Sequence, residues 1–190
     1  MGFLVIYDAS VLYPPTLRDV LIRVAQEGMV HAKWTNRILD ETFNAIEKTN
    51  PHLDPARLAR TRELMSGAIR DCLVVGYEPL IDVVELPDPD DRHVLAAAIR
   101  ARAQVIVTSN TKHFPADALS PWDVVAKTPD EFLLDQFFLS GPMLYGAIQR
   151  VADSWRNPPG TVSDVLDRLE RTGLVEAVAR LRLWKSPGWQ

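Results

Sequence analysis

Cysteine is almost absent: Cys72 stands alone in 190 residues, so no internal disulfide can form. That usage fits a reducing compartment, the cytoplasm. Long apolar runs are lacking too. Stretches such as Phe3 to Tyr7 fall far short of the ~20 residues that a membrane span needs. No basic stretch precedes an apolar segment of about 7–15 residues, so a secretory leader is not expected. Positive charge is not in excess. Lys and Arg number 21 against 25 Asp and Glu, for a net charge of −4. No basic field covers the whole chain, and any nucleic-acid contact must rest on a local patch. Internal repeats and low-complexity segments are absent. What remains is ordinary for a globular chain: 47% hydrophobic and 24% charged residues. A chain of this length buries roughly 70% of its unfolded surface and needs no staples.

The order of elements is readable from local signals. Residues 3–7 (FLVIY) are β-branched and aromatic, which predicts a short buried strand. Pro14-Pro15 break the chain. Leu17, Leu21, Val24 and Ala25 then recur at helical spacing up to a stop at Gly28. Thr35 can cap a helix running to about Lys48, and Asp54-Pro55 opens another. Ile81 to Leu86 reads as a strand ended by Pro87. Asp88-Pro89-Asp90-Asp91 opens an alanine-rich helix. Gln104 to Thr108 and Trp122 to Val125 read as two more strands. Strands alternating with helices predict an α/β fold with a parallel sheet covered on both faces. After Lys127 the pattern turns wholly helical, starting from the capping box Thr128-Pro129-Asp130-Glu131. The expected division is therefore 1–127 for the α/β body and 128–190 for a helical C-terminal extension.

Ligands of such sheets bind at the carboxyl ends of the strands. Asp8 follows the first strand directly, and Thr108-Ser109-Asn110 end the strand at 104–108. Asp91 starts a helix, with Asp88 and Asp90 as further acids beside it. Glu41 lies at the edge of the apolar face of the second helix, one turn from Ile38. Carboxylates that converge near a buried edge repel one another and lose hydration, unless a cation neutralises them. Hard oxygen donors point to Mg²⁺ or Mn²⁺ rather than zinc. Taken singly, each of these residues also reads as a cap, a turn residue or a solvated charge.

Their order is more specific. The stretches DASVLYP with Asp8, ILDE with Glu41, PDPDDRHVLAAAI with Asp91 and VIVTSNTKHF with Asn110 follow one another along the chain. This succession resembles the PIN-domain nucleases, the fold of VapC-like toxins of type II toxin–antitoxin systems, over roughly residues 1–126. The resemblance implies a three-layer fold with a central parallel sheet and helices on both faces. It implies metal-dependent hydrolysis of RNA phosphodiester bonds, with Mg²⁺ or Mn²⁺ as cofactor. Asp8, Glu41, Asp91 and Asn110 would be the catalytic and metal-binding set, with Asp88 and Asp90 able to add charge. Ser10 and Thr108 would support these ligands from behind, and Arg18, Arg92 and Lys112 would contact the phosphates of the RNA. A cognate antitoxin is the implied partner, and a homo-oligomer the implied assembly. The sequence departs from the family pattern at two acidic positions, filled here by Asn110 and His113, and both changes reduce the negative charge.

Two other readings compete. One is a PIN-like module that binds RNA or a partner with weak catalysis or none. The other is a haloacid-dehalogenase-like phosphatase. Against the latter, the second acid of its nucleophile motif would fall at Ser10, and the Thr108 strand follows the acidic pair instead of preceding it. His93, two residues past Asp91, is expected to project about 200° away around the helix, outside the ligand set. His31 and His52 read as isolated residues. Arg57, Arg60, Arg62 and Arg70 read as a solvated helix face, and Trp122, Trp155, Trp184 and Trp189 as packing anchors.

Overall fold

The computed structural model describes residues 3–184. Four short strands form one parallel sheet: β1 (Phe3–Tyr7), β2 (Val30–Lys33), β3 (Val105–Val107) and β4 (Val125–Lys127). Their order across the sheet is β2-β1-β3-β4. The strands β1 and β3 are parallel neighbours, with Tyr7 opposite Val107 in register. The central strand β1 has Val5, Ile6 and Tyr7 fully buried, as a strand covered on both faces must.

Helices connect and cover the strands. Asp8 caps α1 (Ala9–Leu12), accepting from the Ala9 N–H. Pro15 opens α2 (Pro15–Gln26), where the missing N–H of proline costs nothing. The chain leaves α2 through Gly28 at φ +74°, a left-handed conformation that glycine adopts without strain. Thr35 caps α3 (Asn36–Thr49) and Asp54 caps α4 (Pro55–Ala68), both as their sequences predict. A 3-10 turn over Pro89–Asp91 leads into α5 (Arg92–Ala101). The short α6 (Ala116–Leu119) precedes β4.

Three expectations need correction. Ile81–Leu86 is not a strand. Val84 and Leu86 are buried, whereas Val83 is 59% exposed, so the apolar residues plug the core from a turn. The last strand starts three residues later than expected, because a 3-10 turn over Ser120–Trp122 and a left-handed Asp123 take up the beginning of that run. The strand Val30–Lys33 was not foreseen. Its four residues alternate between buried and exposed, a pattern too short to stand out.

The C-terminal third consists of α7 (Pro129–Ser154), α8 (Val162–Arg171) and α9 (Val175–Leu183). The Thr128–Glu131 capping box is present in both directions, at 3.2 and 2.8 Å. A second box joins Thr161 and Asp164. Helix α7 bends at Ser140, which lies outside helical geometry. Pro142 explains the bend, since its ring clashes with the preceding turn and it has no N–H to donate. Asp130 accepts from the N–H groups of Glu176 and Ala177 and so ties the start of α7 to the start of α9. The extension packs on the body: the Phe132 ring meets Tyr7 edge-on at 5.9 Å, and Arg150 pairs with Glu27 at 2.5 Å. Trp155 stacks under the Arg168 guanidinium at 4.1 Å, and Trp184 lies 5.1 Å from Tyr145, both packing roles. Trp189 lies outside the described residues.

Candidate metal centre at the carboxyl edge of the sheet

Because β1 and β3 are parallel neighbours, their carboxyl ends meet. The Asp8 N–H donates to the Val107 carbonyl at 3.1 Å, which seats Asp8 beside Thr108. Both side chains are buried. One Asp8 oxygen, Oδ1, accepts from the Ala9 N–H at 2.7 Å. The other, Oδ2, accepts from Ser10 Oγ at 2.7 Å and from Thr108 Oγ1 at 2.8 Å. The hydroxyls are themselves held. The Ser109 N–H donates to Ser10 Oγ, and the Asn110 N–H to Thr108 Oγ1, each at 3.0 Å. Ser10 and Thr108 therefore orient Asp8. Asn110 is exposed beside this network and joins it through its backbone.

The other acids arrive from helices. Asp91 ends the 3-10 turn before α5, with Oδ2 2.7 Å from His113 Nδ1. Asp88 Oδ2 lies 3.9 Å from the same nitrogen. Asp88, Asp91 and His113 each offer a donor atom within 4.8 Å of the others. Burial pushes the Asp91 carboxyl above its ordinary range, the His113 hydrogen bond opposes this, and the Asp8 charge adds to it. Asp88 also serves as the N-cap of its turn, accepting the Asp90 N–H at 3.0 Å. Asp90 itself is exposed.

Glu41 projects from α3, and its Oε1 lies 3.0 Å from His93 Nε2 and 3.2 Å from Arg37 Nε. Burial alone would raise the Glu41 carboxyl, but the hydrogen bonds and charges of His93 and Arg37 outweigh it and hold it below the ordinary range. The neighbouring Asp40 turns instead to Arg62.

Among the cations, Arg18 is corrected. Burial leaves it 8% exposed, and its Nη1 donates to the Leu12 carbonyl at 3.0 Å, a contact within the fold rather than an open phosphate-binding position. Lys112 is exposed on the turn after Asn110, and Arg92 is half-buried beside Asp91. His31 and His52 are exposed. On α4 only Met65 is buried, which agrees with a solvated arginine face.

Sequence reasoning missed two residues. His93, which was expected outside the ligand set, is 1% exposed and lies against Glu41. Arg37, which also reaches the Asp90 carbonyl at 3.4 Å, carried no motif. Its only signal was its i, i+4 spacing to Glu41.

A strand-end aspartate fixed by two hydroxyls, joined by helix-borne acids, defines a class. Residues 5–112 match the family model of the PIN domain, more than half of the chain, and the protein belongs to that family. Residues 129–183 match a second model, the VapC50 C-terminal domain. The chain is 52% identical over 94 residues to "Putative ribonuclease VapC50" of Mycobacterium tuberculosis, a match covering 50% of this chain. It spans about half, 55%, of that relative's own length. No solved structure matches the chain significantly.

Proposed function

We propose that the protein is a divalent-metal-dependent endoribonuclease, the toxin of a toxin–antitoxin pair. The observations that carry this are Asp8 at the end of β1, oriented by Ser10 and Thr108, and the group of Asp88, Asp91 and His113, whose donor atoms lie within 4.8 Å of one another. The donor chemistry fits a hard cation. Carboxylate oxygens dominate, the Asn110 amide can add a neutral oxygen, and a cation would relieve the repulsion between Asp8 and Asp91. Asp8, Glu41, Asp91 and Asn110 would hold Mg²⁺ or Mn²⁺, with Asp88 and Asp90 adding negative charge. When bound, the ion supplies Lewis-acid activation of a phosphodiester and of the attacking water. The protein's share is orientation. Ser10 and Thr108 keep Asp8 in one rotamer, and Lys112 and Arg92 bind phosphate oxygens of the RNA. The acids are partly exposed, with Asp91 at 24% and Glu41 at 39%, which suits a polymer drawn across a rim.

The name of the mycobacterial relative, "Putative ribonuclease VapC50", supports the same activity. A cognate antitoxin as neutralising partner, self-association and a cytoplasmic location complete the proposal. No helix among the described residues is long and apolar enough to cross a membrane. The boundary between body and extension at 127–128 is supported by the two separate family matches. Truncation after Lys127 is expected to give an insoluble body, because it uncovers the surface now packed by Phe132, Leu133 and Ile148.

A specific departure favours the second reading, a module that binds more than it cuts: Asn110 and His113 leave the site with fewer carboxylates. Cleavage of RNA by the purified chain, with Mn²⁺, with Mg²⁺ and with a chelator, decides between the two. Cleavage that needs the ion and disappears in Asp8→Asn supports the nuclease, whereas binding without cleavage supports the module.

A further inference from the structure

We propose that His93 is a positioning residue for Glu41: with Arg37 it turns one carboxylate oxygen toward the protein and leaves the other for a divalent cation. The inference rests on the metal-dependent reading above and names a device within it.

His93 is 1% exposed, on the first turn of α5, between Arg92 and the buried Val94 and Leu95. An apolar side chain would fill that space without desolvating a ring nitrogen. The polar contact of the imidazole is with Glu41 Oε1, 3.0 Å from Nε2. Its other nitrogen, Nδ1, is buried without a hydrogen-bond partner among the described residues. A neutral imidazole carries one N–H. On Nδ1 that proton would be stranded, whereas on Nε2 it meets a carboxylate. The surroundings thus select the Nε2–H form, with the N–H aimed at Glu41. Arg37 Nε donates to the same oxygen at 3.2 Å. Both contacts fall on Oε1, so the carboxylate cannot rotate without breaking two hydrogen bonds at once. Arg37 Nη2 also reaches the Asp90 carbonyl, so the clamp bridges α3 and the acidic turn before α5. A donor behind a ligand that fixes its orientation is a recurrent feature of metal sites.

The test is calorimetric titration of the full-length chain with Mn²⁺, with melting temperatures recorded for each variant. Wild type should bind, and Asp8→Asn should lose binding. His93→Phe keeps the volume and removes the donor, and it should weaken binding by about tenfold or more. His93→Gln restores an N–H near Nε2 and should recover most of the loss. The double variant Glu41→Gln with His93→Phe should bind no more weakly than Glu41→Gln alone, because His93 acts through Glu41. If Asp8→Asn abolishes binding while His93→Phe binds within twofold of wild type, the clamp is overturned and the metal reading stands. Losses that multiply in the double variant also overturn it. Undiminished binding in Asp8→Asn, or none in wild type, overturns the metal reading itself. Nitrogen-15 spectra of the wild-type imidazoles provide a readout that needs no His93 variant to fold. An Nε2–H tautomer whose resonance moves in Glu41→Gln agrees with the clamp, and an Nδ1–H tautomer overturns it.

Discussion

The two halves of the carboxylate rim are held by different means. At the strand ends Asp8 is buried and held by neutral donors: a backbone N–H and the hydroxyls of Ser10 and Thr108. On the helix side Glu41, Asp88 and Asp91 are partly exposed and lie against Arg37, His93 and His113. Neutral donors on a parallel sheet fix geometry, and Asp8 has no ion pair among the described residues. Arg37, His93 and His113 bond the carboxylates of the other half, where the shifted Asp91 and Glu41 make the response to pH. A site with one half rigid and the other tunable can keep its shape while its charge changes. Each half can be broken separately.

The largest effect is expected from Asp8→Asn. The substitution preserves shape but removes the one carboxylate that the sheet holds rigidly. Cleavage should fall below detection, with the melting temperature close to wild type. Residual cleavage above a tenth of wild type would show that the strand-end half is dispensable. Thr108→Val comes next. The Thr108 hydroxyl is fully buried and joins Asp8 to the Asn110 N–H. Its loss leaves the Asn110 N–H without this acceptor and Asp8 Oδ2 with Ser10 Oγ alone, and should cost about 1–3 kcal/mol of stability by denaturant titration. Activity should drop about 10- to 100-fold, as for other groups that support metal ligands.

The helix half predicts a pH response. The Asp91 pKa is raised in the folded state, so the folded chain takes up this proton more readily than the unfolded chain. Without metal, that group adds stability as pH falls through its folded pKa. Glu41 is depressed and acts in the opposite sense: its stabilising share is present above the unfolded pKa and fades as pH falls through the folded one. Metal binding needs both groups ionised, so affinity should begin to fall at the pH where Asp91 protonates, above the ordinary aspartate range. His113→Asn removes a hydrogen bond that lowers Asp91, and it should move the fall to higher pH in Mn²⁺ titrations across the acid range. An unchanged pH profile would show that Asp91 is not the titrating ligand.

The same contrast explains what the sequence made legible. Phe3–Tyr7, Thr35, Asp54-Pro55 and the Thr128–Glu131 box are local signals, where a residue and its partner lie within a few positions. The strand-end half inherits that clarity, because Asp8 and Thr108 both end apolar strands and the sheet joins them. The helix half depends on partners far apart in sequence: Glu41 with His93, and Asp91 with His113. His93 reaches Glu41 across two elements, α5 and α3, a contact that no local pattern shows. The run Ile81–Leu86 misled because apolar content does not separate a strand from a plug beneath a turn. Val30–Lys33 was lost because its neighbour β1, not its own four residues, makes it a strand.

The smallest expected effect sharpens the comparison most, because it concerns Asn110, at the seam of the two halves. Its backbone N–H belongs to the strand-end network, and its side chain lies on the exposed rim. If the amide oxygen ligates the ion, the site loses one negative charge relative to a four-acid set but keeps an oxygen in place. Asn110→Ala should then weaken Mn²⁺ binding only modestly, less than Asp8→Asn or Asp91→Asn, since no charge is lost. Asn110→Asp adds a carboxylate whose attraction for a divalent ion is favourable even at an effective dielectric of about 20. Repulsion from Asp8 and Asp91 offsets part of that gain, so a few-fold tightening is expected. Calorimetry on wild type and Asn110→Asp measures it, and cleavage rates under saturating metal show whether the extra charge helps chemistry as well as binding. Equal or weaker affinity in Asn110→Asp would place the Asn110 side chain outside the metal shell, leaving its backbone N–H as its whole contribution.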